Sequence, residues 1–130
     1  MAQQPRTDTL VAGTPDHPIT ITAAPHRVRV TFAGRVVADT RRALSLMEAS
    51  YAPVMYIPPE DVDLTMLERS DHATQCPYKG AASYYSIRTA DRVAQNAVWS
   101  YERPLTAVIA IAGHMAFYPN RVDSLEQLPA

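Results

Sequence analysis

Residues able to do chemistry crowd into one short run, Thr74-Gln75-Cys76-Pro77-Tyr78-Lys79-Gly80. It holds the only cysteine, a phenol, a cation and a glycine, and Pro77 keeps it out of a helix. A thiol attacks only as the thiolate, so a nearby cation or base must favour its ionisation. Lys79 could supply the cation, and His72 or His114 could accept the proton. Cys76, His72 and His114 are therefore the catalytic candidates. The plainer reading makes Cys76 a small buried hydrophobe before a turn set by Pro77. Lys79 followed by Gly80 could instead bring an ammonium and a backbone N–H up to a phosphate or carboxylate.

Tyr56, Tyr78, Tyr84, Tyr85, Trp99, Tyr101, Phe117 and Tyr118 all lie beyond the first third of the chain. Tyrosine and tryptophan carry a polar handle that needs a partner when buried, so several in one small domain either pack the core or line a cleft. Adjacent strand residues point to opposite faces, so only one of Tyr84 and Tyr85 can share a cleft with Trp99. The candidate ligand-binding set is Cys76, Tyr78, Lys79, Gly80, Tyr84, Trp99 and Tyr101. It would suit a small planar or anionic molecule, with Lys79 fixing an acidic group.

Other chemistries find less support. His72 and Cys76 are four apart but lack a third ligand at supporting spacing, so neither a metal nor a cofactor is expected. His114 follows Gly113, where an imidazole can satisfy helix-end carbonyls. His17 and His26 are expected to be solvated.

The elements that must position these side chains read as mainly β. Arg27–Phe32 alternates Val28, Val30 and Phe32 against Arg27, Arg29 and Thr31, which is a half-buried strand. Ala33-Gly34 turns it, and Arg35–Asp39 returns as the hairpin partner. Ala43–Ala49 is ambiguous, but Leu44 and Leu46 are compatible with alternation, which favours strand. Pro53–Pro59 reads as a proline-fenced edge strand. Pro59-Glu60-Asp61-Val62 predicts the start of a short helix ending near Ser70, with Val62, Met66 and Leu67 inward. Ala81–Arg88 and Ala97–Tyr101 read as strands. Leu105–Ala112 reads as a second helix with Val108 and Ile111 on one side, closed by Gly113, and His114–Tyr118 as a further strand. The expected fold is an antiparallel sheet or open barrel-like arrangement with one or two short helices.

The bulk properties agree. The chain has 130 residues, 47% hydrophobic and 19% charged, enough for one packed core. Residues 1–18 hold three of the 11 prolines without any period and are expected to form an extended or disordered arm, leaving 19–130 as a single globular domain. A net charge of -1 offers no field for nucleic acid. No apolar run reaches membrane-span or signal-peptide length, so no membrane partner is expected and the reading is a cytoplasmic protein, bacterial in style. The lone cysteine rules out an internal disulfide.

Four segments in order, Tyr56-Ile57-Pro58-Pro59-Glu60-Asp61-Val62, Thr74–Gly80, Trp99-Ser100-Tyr101 and Gly113-His114-Met115-Ala116-Phe117-Tyr118, resemble the bacterial and fungal domain-of-unknown-function family numbered 427 over roughly residues 25–125. The resemblance implies a small, mostly antiparallel β fold and brings no established reaction, substrate or cofactor. A nucleotidyltransferase-like label sometimes attached to such domains is poorly served by the residues. That reaction wants two metal ions about 4 Å apart on converging carboxylates and a glycine-rich phosphate turn. Glu60, Asp61 and Asp63 instead sit at a predicted helix start, and the chain has 4 glycines, none in a Gly-x-Gly turn. The leading expectation is a small-molecule binding domain with its pocket around Cys76–Gly80. The alternatives are a cysteine-dependent or nucleotidyltransferase-like enzyme, and a structural homodimer formed through exposed edge strands.

Overall fold

The computed structural model describes residues 9–129. Among the described residues, eleven strands form three antiparallel sheets and no closed barrel, and helix is confined to short 3-10 turns. The protein is thus mainly β, as its alternating patterns predict.

Strands β1 (Thr9–Thr14), β2 (His17–Ala23), β5 (Leu44–Glu48) and β6 (Val54–Tyr56) make one sheet in the order β1-β2-β5-β6. Strands β3 (Arg27–Phe32) and β4 (Arg35–Thr40) make a second with β11 (Ser124–Leu128), ordered β11-β3-β4. These two sheets are one long ladder bent in the middle. The pair β2/β5 ends at Ala23 opposite Leu44, the Ala24 N–H reaches the Ala43 carbonyl at 2.9 Å, and β3/β4 resumes at Val28 opposite Thr40. The tip of that ladder is the expected hairpin turn, with Ala33 at φ 52 and Gly34 at φ 74, the pair of positive φ angles a two-residue turn of matching twist requires.

The third sheet, β10-β9-β8-β7, comprises β7 (Leu67–Cys76), β8 (Gly80–Arg88), β9 (Val93–Ser100) and β10 (Met115–Phe117). Its buried apolar side chains fall into two clusters. Tyr85, Val98, Met115 and Phe117 pack with Val28, Val30, Phe32 and Val37 of the second sheet. Tyr84, Trp99, Ala116 and Tyr118 pack with Ile19, Ile21, Leu46 and Tyr56 of the first. The bent ladder therefore grips both faces of the third sheet, and the opposed directions of Tyr84 and Tyr85 follow from strand geometry.

Two expectations need correction. The helix anticipated from Pro59 to Ser70 is two separate 3-10 turns, Pro59–Asp61 and Leu64–Met66, and then strand. Val62 returns to extended backbone at φ -115, ψ 137 and bridges to Ala38, while Asp63 caps the next turn by accepting from the Thr65 N–H at 3.1 Å. Pairing of Leu67 with Ile87 then draws the chain into β7, so long-range ladder bonds override a helix too short to stand alone. The second expected helix exists only as a 3-10 segment, Thr106–Ile111, broken at Val108 (φ -121, ψ 30), although Val108 and Ile111 are buried as predicted. Of the segment expected to be an extended or disordered arm, residues 1–8 lie outside the described residues, and from Thr9 onward the chain is extended and paired in a hairpin, because alternation in Ile19-Thr20-Ile21 lets β2 bury Ile19 and Ile21 and template β1.

Candidate functional site

Alternation along β5 puts Leu44, Leu46 and Glu48 on one face, so the strand that buries Leu46 also carries a carboxylate inward at its end. Opposite it, the β7–β8 hairpin turn presents Lys79. That turn is fixed by backbone: the Lys79 N–H reaches the Cys76 carbonyl at 3.3 Å, and the Leu105 N–H reaches the Lys79 carbonyl at 3.0 Å. Gly80 sits at φ +110 with its α-carbon facing the Arg103–Leu105 backbone, where a side chain would be strained. The Lys79 side chain, 9% exposed, crosses from the third sheet to the first and donates to Glu48 Oε1.

Around this pair lies a cleft of about 250 Å³. Leu46 and Val54 supply its aliphatic wall, and Tyr51, Tyr56, Tyr84, Trp99, Tyr101 and Tyr118 supply rings. Five of the seven tyrosines and the only tryptophan thus face one space. Trp99 Nε1 donates to the Tyr56 hydroxyl at 3.2 Å, its ring lies 4.4 Å from that of Tyr118, and Lys79 Nζ stands 5.7 Å above the Tyr101 ring.

The electrostatics are those of a satisfied, half-dry pocket. Burial pushes the Glu48 carboxyl up, but hydrogen bonds from Lys79 and then His17 outweigh it and hold the group below the ordinary carboxylate range. His17 Nε2 lies 2.7 Å from Glu48 Oε2, so both carboxylate oxygens are engaged. Burial drives the Tyr56 and Tyr101 phenols far up, and burial and then the neighbouring Tyr84 raise Tyr118. The cleft therefore offers the un-ionised hydroxyls of Tyr56, Tyr101 and Tyr118 beside an ion pair of zero net charge.

Of the residues predicted for the site, Lys79, Tyr84, Trp99 and Tyr101 come together here. Tyr78 does not. Its ring stacks on His17 at 4.1 Å and 9°, behind Glu48. Cys76 is half-buried against the same apolar cluster, and both it and Gly80 lie outside the cleft lining. Neither histidine proposed as its base bonds to Cys76: His72 is exposed with its ring 4.4 Å from Tyr84, and His114 Nδ1 pairs with the Ala112 carbonyl at 3.2 Å. His17, expected to be solvated, is instead held between Glu48 and Tyr78 with its side chain 23% exposed. Glu48 and Tyr51 carry no site expectation from the sequence, and Tyr56 and Tyr118 stand there only as aromatics. The signal for Glu48 was present, since a strand reading of Leu44 and Leu46 carries position 48 to the same face.

The carboxylates weighed for nucleotidyl transfer have other work. Asp61 accepts from Thr40 Oγ1 at 2.7 Å and from Arg42, and Asp63 caps its turn. Among the described residues no three His, Cys, Asp or Glu side chains cluster as a metal site, and no helix is long and apolar enough to cross a membrane.

Fold and site together define a mainly β, antiparallel single domain with an aromatic cleft between two sheets. The chain belongs to the family described as a domain of unknown function, DUF427, whose profile it matches over residues 20–127. That range includes every residue lining the cleft, with His17 just before it. No curated protein matches the chain.

Proposed function

We propose that the protein binds a small planar molecule in the cleft between β5/β6 and β8/β9. The observation carrying this reading is the convergence of six aromatic rings on a space of about 250 Å³ with a charged pair in its wall. Ligand sites of drug size run from about 300 Å³ upward, so the occupant is one or two rings. Flat ligands gain from offset stacking against Trp99 and the tyrosines, and the protonated phenols and the ion pair provide edges for hydrogen bonds. Of the planar and anionic ligands suggested by the sequence, the planar one is the better supported, because Glu48 already neutralises Lys79.

Trp99 is the chain's only tryptophan, so its emission reports on the cleft without labelling. Titration of the full chain with a panel of one- and two-ring heteroaromatic compounds should quench or shift that emission and raise Tm, and Trp99→Phe should weaken the Tm response. A panel that leaves both the emission and Tm unmoved defeats the reading.

A further inference from the structure

Lysine occurs once in the 130 residues, at position 79, against eleven arginines. Among the described residues arginine is the cation in the carboxylate pairs away from the cleft: Arg27 and Arg29 with Asp39, Arg42 with Asp61, Arg69 with Glu102, Arg88 with Glu68, Arg92 with Asp123. Those arginine side chains are between 29% and 61% exposed, whereas that of Lys79 is 9% exposed. The chain changes its cation only where the cation enters the cleft. A guanidinium stays protonated and is held by its fork of donors, while an amine is a point charge that becomes a nucleophile once it gives up a proton. The proton has somewhere to go. Glu48 Oε1 accepts from Lys79 Nζ, and Glu48 Oε2 lies 2.7 Å from His17 Nε2, which leads outward.

We propose that Lys79 forms an imine with an aldehyde or ketone carried on a flat ring in the cleft, an inference that rests on the ligand-binding reading above. Glu48 takes one proton from the ammonium, an uphill transfer because Lys79 and His17 hold Glu48 below the ordinary carboxylate range, so the free amine is a minor form that the bound carbonyl captures. The freed lone pair of Nζ attacks the carbonyl carbon, a C–N bond forms, and the carbonyl oxygen takes up a proton from nitrogen to give the carbinolamine. Protonated Glu48 returns its proton to that hydroxyl, which leaves as water while the C=N bond forms. The sum is ammonium plus carbonyl giving iminium plus water, with no oxidant or reductant. The iminium carries the positive charge that the ammonium carried, so Glu48 stabilises the product as it does the resting state. The aromatic rings hold the carbonyl compound beside Nζ, which supplies the proximity that an amine in water lacks.

The test uses the full folded chain at neutral pH with 4-hydroxybenzaldehyde, trapping by sodium borohydride and peptide mapping. The non-carbonyl analogue 4-hydroxybenzyl alcohol serves as competitor and as a binding probe read by Trp99 emission. The α-amine is the internal reference, because Lys79 is the only other primary amine among the side chains. The expected result is an adduct at Lys79 that forms, relative to the α-amine, at least about tenfold faster in the folded chain than in urea, is blocked by the alcohol and is absent in Lys79→Arg. Labelling confined to the α-amine, or no faster at Lys79 folded than unfolded, overturns the imine. If the alcohol still shifts Trp99 emission in that case, the binding cleft survives alone, and if neither compound does, both proposals fall.

Discussion

Replacing Glu48 by glutamine removes one charge from the ion pair and leaves Lys79 as a nearly buried cation facing a neutral amide. Breaking a fully buried pair in this way costs about 3–5 kcal/mol, because the remaining charge has lost both water and partner. Two features reduce the figure here: the Glu48 side chain is 17% exposed, and the glutamine oxygen still accepts one hydrogen bond from Lys79. A loss of about 2–3 kcal/mol is expected, and for a chain of 130 residues this lowers Tm by about 6–12 °C. The pH dependence has a definite sign. Glu48 titrates lower in the folded state than its ordinary value of 4.5, so the unfolded chain binds more protons in the window between the two. The stabilisation is complete above about 4.5 and is lost as pH falls through the lower folded value. Glutamine does not titrate. Thermal melts of both proteins from pH 7 downward should show the full gap at neutral pH and a shrinking one below about 4.5. A gap under about 0.5 kcal/mol at pH 7, the scatter of an ordinary surface substitution, refutes the reasoning. So does a gap that persists unchanged at acid pH.

Further outcomes follow from the same geometry. Burial raises the Tyr56 and Tyr101 phenols, so both should stay protonated where an ordinary phenol ionises near 10, and the stability they confer should be lost above that pH; ultraviolet titration should show their tyrosinate absorbance released only with unfolding. Tyr56→Phe strips Trp99 Nε1 of its acceptor and should cost about 1–3 kcal/mol by chemical denaturation, with a measurable change in Trp99 emission. Gly80→Ala meets the Arg103–Leu105 backbone at φ +110 and should cost about 1–3 kcal/mol, while displacing Lys79 enough to weaken any ligand detected through Trp99. Cys76→Ala, by contrast, should leave ligand titrations of Trp99 unchanged, since the thiol lies outside the cleft lining.

What the sequence made legible is what local pattern can encode. The β3/β4 hairpin shows in the alternation of Val28, Val30 and Phe32 and in Gly34, and β5 in Leu44 and Leu46. The opposition of Tyr84 and Tyr85 is a property of any strand. Lys79, Tyr84, Trp99 and Tyr101 could be gathered from residue type alone, because buried phenols and a lone cation in a turn need partners. What remained hidden depends on contacts far apart in the chain. Glu48 and Lys79 are 31 residues apart, as are His17 and Glu48, and nothing near any of the three announces the others. The same limit explains Tyr78. Its place next to Lys79 argued for the cleft, yet in a tight turn neighbouring side chains diverge, and Tyr78 found the imidazole instead. Pro59-Glu60-Asp61-Val62 does start helical turns, but the register with β8 that ends them lies 20 residues away, between Leu67 and Ile87.

The way the first and third sheets are joined bears on how the cleft behaves as a mechanical object. Among the described residues, their backbones meet directly in two hydrogen bonds, both 2.8 Å, exchanged between Ile57 and Met115. That bridge is a spine, and the Lys79–Glu48 pair is a clasp across the two covers. Backbone ladders resist shear along their strands more than rotation about a single rung, so the gape at the mouth rests on the side chains that cross it: the Lys79–Glu48 pair, the Trp99–Tyr56 hydrogen bond, the His17–Tyr78 stack and the apolar contacts beneath them. Any event that reassigns the Lys79 charge, whether a change of pH, a competing anion or a covalent partner, should therefore loosen one of the fastenings that keep the book closed.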